Sequence, residues 1–467
     1  MDDASLLALL DVCDRFARAT GAKLNLDKTE GLLFGSWSTR LNLPVNLKWK
    51  SDHLTVLGCR VGNSVLPDWD TLIQKLNSKL KSWSSRSLSL QGRTLLANTL
   101  GLSIFWYQAT IFDMPKTVVH AVNKLLFPFL WKKNKEPIAR SSAVAPRLQG
   151  GLGVVHVGTK LLSLRTIWLR RLLLTRNTVP WPVLFTHHIG QVFKQDLNTF
   201  FARVTTPAYL IKRLPKFYQS VVHTWLQLKG RHENDSWLVG HADTAPIPLA
   251  ELTAKRTYSV LLKNVLAPHK AIGKFAAQQI VVHWPSVWRS LSLWRFVRSC
   301  ADTNYYNFHG RLATADRLIR FGMRVDANCF CGEQETAIHL FSSCPVAKTV
   351  WDWMTPLLVS LAVPTPLSIS TILFGFPVAK KIPAAVNAIL GILRHHLWLH
   401  RNRCRFDRLS PDASLVLRMA KSTFRFAVKL EHRHCLLTKF EEEWLLRGLV
   451  GTIASDNTVS FSKDFMS

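Results

Sequence analysis

Acid is what this chain has least of for its size. Thirty Asp and Glu face sixty Lys and Arg across 467 residues, leaving a formal charge of +30 and a pI near 10.2. Ribonuclease H chemistry needs a cluster of carboxylates to hold its metals, so it is not expected. The densest acidic run, Glu441-Glu442-Glu443, lies in a stretch that reads as an exposed helix. Long apolar runs are also missing: nothing approaches the roughly 18 uninterrupted residues a membrane span requires. The start, Met1-Asp2-Asp3, is acidic and no apolar stretch suited to a leader follows it, so a secretory signal is not expected. Disulfide-framework spacing is absent as well. Of eight cysteines, Cys13, Cys59, Cys300, Cys404 and Cys435 are scattered, which suits a reducing compartment and an intracellular location, nucleus and cytoplasm. No Ser/His/Asp or Cys/His set sits in a motif with an elbow, an oxyanion donor or a placed base.

What the chain has instead is positive charge and aromatic area. Seventeen Trp and twenty-five Phe accompany the +30, and 48% of residues are hydrophobic. That is enough to bury several cores, so about two to four domains are expected. A field this positive exceeds what solubility needs and points to a polyanionic partner. The charge concentrates between Ser141 and His232, where thirteen Lys and Arg, among them Arg165, Arg170, Arg171, Lys212 and Arg213, face the single acid Asp196. Phosphate neutralisation by such a stretch would be steeply salt-dependent. Gly150-Gly151-Leu152-Gly153 is too short for a dinucleotide loop and reads as a turn.

The most specific local signal is Cys329-x-Cys331-x7-His339-x4-Cys344. Four soft ligands of this kind suit tetrahedral Zn2+, which lets a short segment fold without a large core of its own. Cys331-Gly332 would form the knuckle, and a helical turn at 337–341 would aim His339 back at it. The same residues allow two other readings, three buried free thiols with a capping His, or a disulfide.

Periodicity supplies the rest. Residues 5–19 place Leu6, Leu9, Leu10, Cys13, Phe16 and Ala17 on one helical face. Short strands are expected at 23–26, 31–35 and 54–61. Helices are expected at 68–83, from about 91 to 105, and from 115 to 131, with the basic cluster Lys132-Lys133 closing the third. Residues 232–248 are polar and contain Pro, and read as a linker. Helices should follow at 249–266 and 271–288, then a proline-rich irregular stretch at 364–383, long helices at 384–403 and 414–447, and a frayed tail from 452. His395, His396 and His400 stand at helical spacing that ligands could use, but no carboxylate or Cys partner is obvious, so a basic helix surface is expected.

In order, these motifs resemble the C-terminal part of a LINE-type non-LTR retrotransposon reverse transcriptase. Residues 20–30 followed by the Leu57-Gly58 strand look like the end of the polymerase palm. By that resemblance Lys28 would lie near the departing pyrophosphate and 54–61 at the primer grip. Leu88-Ser89-Leu90-Gln91-Gly92-Arg93 resembles the thumb, Gly150 to Gly153 the connecting segment, and residues 312–318 the approach to that family's zinc-binding domain, whose ligand series Cys329 to Cys344 matches. Asp2-Asp3 invites assignment as the catalytic pair, but a helix follows at once where a returning strand is needed, and no earlier strand offers the third carboxylate.

The expected architecture is therefore mainly α and multi-domain. It comprises a palm remnant at 1–66, a thumb-like helical bundle at 67–140, a basic connection at 141–248, a helical region with a CCHC zinc module at 249–355 (core 312–351), and a C-terminal helical region at 356–467. The resemblance implies template RNA and nicked target DNA as partners, with the N-terminal part of a parent enzyme as a third. The expected backbone contacts are Lys28, Arg93, Lys132, Lys133, Arg165, Arg170, Arg171, Lys212 and Arg213. A polymerase site is not expected in the chain itself. Rival readings are a non-functional truncated remnant and a zinc-dependent protein adaptor.

Overall fold

A computed structural model describes the chain except residues 1–2, 44, 63–66, 133–134, 176–179, 203–206, 241–244, 296, 378–381 and 464–467. Among the described residues it is mainly helical, with four small sheets. Among the described residues no helix is long and apolar enough to cross a membrane. The chain divides into two compact units, one from 1–78, 102–122 and 164–251, the other from 79–101, 123–163 and 252–467.

The first unit opens with the Asp3–Thr20 helix, whose apolar face borders a cleft of about 470 Å³ lined also by Leu33, Trp37 and Trp49. Strand Glu30–Leu32 pairs in parallel with Lys48–Lys50. The expected strand at 54–61 is instead an antiparallel hairpin, His53–Val56 with Cys59–Gly62. Leu57 (φ 50°) and Gly58 (φ 80°) form its turn, so the sequence that looked like one apolar run reverses on itself. Residues 23–26 form no strand; a short 3₁₀ turn, Leu26–Lys28, capped by Asn25 stands there. Further on, helices Trp181–Phe193, Leu197–Ala202 and Lys216–Gln227 enclose an aromatic core in which Phe185, Phe201 and Trp225 are buried. The Trp225 indole donates to the Phe201 carbonyl at 2.9 Å. The expected linker at 232–248 is a three-stranded antiparallel sheet, Arg231–Glu233, Ser236–Val239 and Ile247–Pro248. Its first turn is Asn234-Asp235, both at positive φ, so the polar residues mark a hairpin tip.

The second unit is organised on the Ala384–Phe406 helix, buried almost continuously from Ala385 to Leu397. Helices Arg298–Phe308 and Ala413–His432 pack against it. Several of its polar groups find partners inside the core: Arg394 donates to Asn304 at 2.7 Å and to the Ile372 carbonyl at 2.9 Å. His395 bonds the Thr303 hydroxyl at 2.7 Å, and His396 the Thr423 hydroxyl at 2.8 Å. His395, His396 and His400 are thus buried core groups, not the basic surface expected of them. The helix expected at 91–105 is broken: Leu90–Leu96 and a wide turn Ala97–Gly101 belong to this unit, and Ser103–Ile111 belongs to the first. Helices Ala254–Leu262, Lys270–Ala276 and Trp284–Ser290 replace the two longer ones expected before the zinc motif. A short helix, Ile369–Phe374, interrupts the proline-rich stretch, and the last long helix ends at His432 before Leu437–Glu443. The tail is a hairpin, Gly451–Ile453 with Val459–Phe461, because alternating residues there pair across the turn at Asn457. The glycine run at 150–153 is a turn, as expected: Gly150 has φ 88°, and a side chain on Gly151 would lie 1.8 Å from the Ala145 carbonyl oxygen.

Candidate metal centre

Cys329 and Cys331 sit on a tight hairpin. The Cys329 amide donates to Glu333 at 2.8 Å, the Gly332 amide donates back to the Cys329 carbonyl at 3.0 Å, and Asn328 bridges Gln334. Gly332 closes the tip at φ 90°, a conformation that favours a residue without Cβ. This tip lets a single residue separate two thiols that still converge.

His339 and Cys344 come from the wide helical turn His339–Ser343, in which the Cys344 amide donates to the His339 carbonyl at 2.9 Å. A five-residue hydrogen-bonded turn brings residues five apart to one side, where an α-turn would splay them. The ligand atoms of Cys329, Cys331, His339 and Cys344 lie within 4.8 Å of one another. His339 Nε2 is 3.2 Å from the Cys331 sulfur, and its Nδ1 is 3.3 Å from the Ser343 hydroxyl, an outer contact that orients the ring. Cys344 also caps the Pro345–Ser360 helix. Its thiol is held below the ordinary range, first by a hydrogen bond with Cys329 and further by the amides of Val346 and Ala347. The same bond and burial push Cys329 up. Tetrahedral zinc, with Zn–S about 2.3 Å and Zn–N about 2.0 Å, fits a donor set of this chemistry and spacing. The four residues would hold it as a structural ion with no open position.

One residue that sequence reasoning missed supports the centre. Glu335 lies between the ligands and is buried. Its carboxylate accepts from the Ala315 amide at 2.7 Å and pairs with Arg401 and, at 3.0 Å, with Arg405. Its amide donates to the Ala327 carbonyl at 2.9 Å, so the residue ties the hairpin to the Ala384–Phe406 helix. Two acids inside the ligand run of an acid-poor chain, Glu333 and Glu335, were the available signal, and only Glu335 is buried.

The expected backbone contacts fare differently. Arg93 is 7% exposed and donates to the Leu130 and Leu88 carbonyls at 2.6 and 2.7 Å. Arg165 is 3% exposed and donates to the Thr110 and Phe112 carbonyls, both at 2.5 Å. Both guanidiniums are engaged inside the fold, because arginine is the side chain that can satisfy several carbonyls at once. Lys28, Arg171, Lys212 and Arg213 are exposed, and Arg170 is half-buried. Lys132 is exposed with its ammonium 3.0 Å from the Arg86 carbonyl. Lys133 lies outside the described residues, as does Asp2. Asp3 begins the first helix and pairs with Arg40 at 2.6 Å.

A Cys3His set closed by a hairpin and a helix start defines the class of this region as a zinc-binding module. A family profile described as zinc-binding in reverse transcriptase matches residues 275–351. The chain is also 25% identical over 219 residues to a Xenopus laevis protein described as a Transposon TX1 uncharacterized 149 kDa protein, over 45% of this chain and 17% of that one. The chain therefore carries a retrotransposon reverse-transcriptase-related region, and it spans about a sixth of the length of the curated relative it matches.

Proposed function

We propose that this chain is a nucleic-acid-binding portion of a LINE-type reverse transcriptase. It holds template RNA and nicked target DNA through basic surfaces, with the zinc module orienting local contacts, and has no polymerase site of its own. The observation that carries the reading is the +30 charge on a chain whose zinc region matches that of reverse transcriptases. Exposed Arg171, Lys212 and Arg213 supply cations within the most basic stretch, and Arg171 lies 5.2 Å from the Trp168 ring. Engagement of Asp3 by Arg40 at a helix start supports the absence of a catalytic pair. The apolar face of the first helix leaves Leu9 and Phe16 exposed, which suits a partner such as the N-terminal part of a parent enzyme. An intracellular location, nucleus and cytoplasm, follows from the same reading.

The test uses surface residues only. Replacing Arg171, Lys212 and Arg213 with Ala should weaken RNA and DNA binding about equally. It should also lower the slope of log affinity against log salt by about 0.7–0.9 for each phosphate that is no longer neutralised. Fluorescence anisotropy across a sodium chloride series measures both. An unchanged slope would remove this stretch from the interface, and no binding by the wild type would favour a protein adaptor or an inactive remnant.

A further inference from the structure

Apart from the four metal ligands, the Lys270–Ala276 and Ala315–Arg320 helices border a pocket of about 180 Å³. Lys270, Lys274, Arg311, Arg317 and Arg320 line it, with Phe321 at its edge. One carboxylate stands nearby, Asp316, and it is already engaged by Arg320 and by the Thr314 hydroxyl, each at 2.5 Å. Lys274 donates to the Gly310 carbonyl at 3.3 Å, and His309 at the pocket floor is turned to the Gly150 carbonyl at 2.9 Å. Among the described residues, the side chains of Lys270 and Arg311 make no ion pair. Burial, together with Arg311 and Arg320, holds Arg317 down to about 10, and burial and the same arginines lower Lys274. Crowded cations of this kind disfavour the empty pocket and favour an anion in it. Phe321 is 65% exposed, and the Arg317 guanidinium lies 5.3 Å from its ring centroid. A largely exposed aromatic ring beside clustered cations is the arrangement on which single-stranded bases stack.

We propose that this pocket receives a backbone phosphate of single-stranded nucleic acid, with Phe321 supporting the adjacent base. The proposal rests on the nucleic-acid-binding reading above and narrows it to one site. Arginine forks suit phosphate oxygens.

The full chain is tested by anisotropy with a labelled single-stranded oligonucleotide and a duplex of equal length across a salt series. Lys270→Gln combined with Arg311→Gln should weaken single-strand binding about tenfold and lower the salt slope by about 0.7 for each phosphate released from a cation. Lys270→Arg with Arg311→Lys should retain binding. A control that removes two exposed charges elsewhere, Lys255→Gln with Lys263→Gln, should change affinity far less. Phe321→Ala should weaken single-strand binding about fivefold or more and leave duplex binding unchanged. Equal effects of the pocket and control variants, or wild-type behaviour of both the pocket and Phe321 variants, would overturn the site while leaving the broader reading intact. Absence of salt-dependent binding by the wild type would overturn both.

Discussion

His395 and His396 show how a polar residue can belong to a core. Each ring bonds one hydroxyl, and burial pushes both imidazoles down to about 4. An unfolded chain would take up protons on them near pH 6.5, whereas the folded one resists until about 4. Their stabilising effect is therefore complete above pH 6.5 and is lost as pH falls from there towards 4. The loss is at most about 3 kcal/mol per ring. Urea midpoints should decline across that window, and His396→Gln should decline less steeply while losing some stability at pH 7. Parallel pH profiles for the variant and the wild type would remove His396 from this role. The pair looked like surface in the sequence because polar residues on a helix usually face water. A helix enclosed on all sides breaks that rule, and its partners Thr303 and Thr423 are 92 and 27 residues away.

At the scale of elements, the zinc hairpin depends on interactions that spacing cannot reveal. The four ligands were legible because metal chemistry restricts both residue type and separation. Glu335 was not legible as a hub, because its arginine partners lie 66 and 70 residues further along. Glu335→Ala would leave Arg401 buried without its carboxylate, at a cost of about 3–5 kcal/mol. Glu335→Gln keeps an acceptor for the Ala315 amide and should cost less. Chemical denaturation ranks the two, and zinc affinity should fall in the same order because Glu335 anchors the strand behind Cys329. Equal stability of Glu335→Ala and the wild type would show that the ion pairs contribute nothing. The small sheet at 231–248 was misread for a related reason. Asn234-Asp235 signals a turn whether the flanks pair or not, and only the alternation of Trp237 and Val239 into the core decides it.

At the scale of the molecule, each compact unit gathers separated stretches of chain, so local composition carries little information about which unit a stretch joins. The mainly helical character and the metal motif survive this, since both are local, whereas the helix boundaries do not. The same organisation predicts how far loss of metal spreads. Small zinc domains unfold outright without their ion because they have no other core. Here the hairpin sits in a unit built on the Ala384–Phe406 helix, whose burial requires no metal. Cys329→Ser with Cys331→Ser should therefore abolish stoichiometric zinc and raise hydrogen exchange across 312–351, while amides of the Arg298–Phe308 and Ala384–Phe406 helices stay protected. Elemental analysis reads the first effect and peptide-resolved exchange the second. Unchanged zinc content would sink the ligand assignment, whereas loss of protection throughout the unit would make the ion a keystone of the whole core, with Glu335 as the link that transmits its loss.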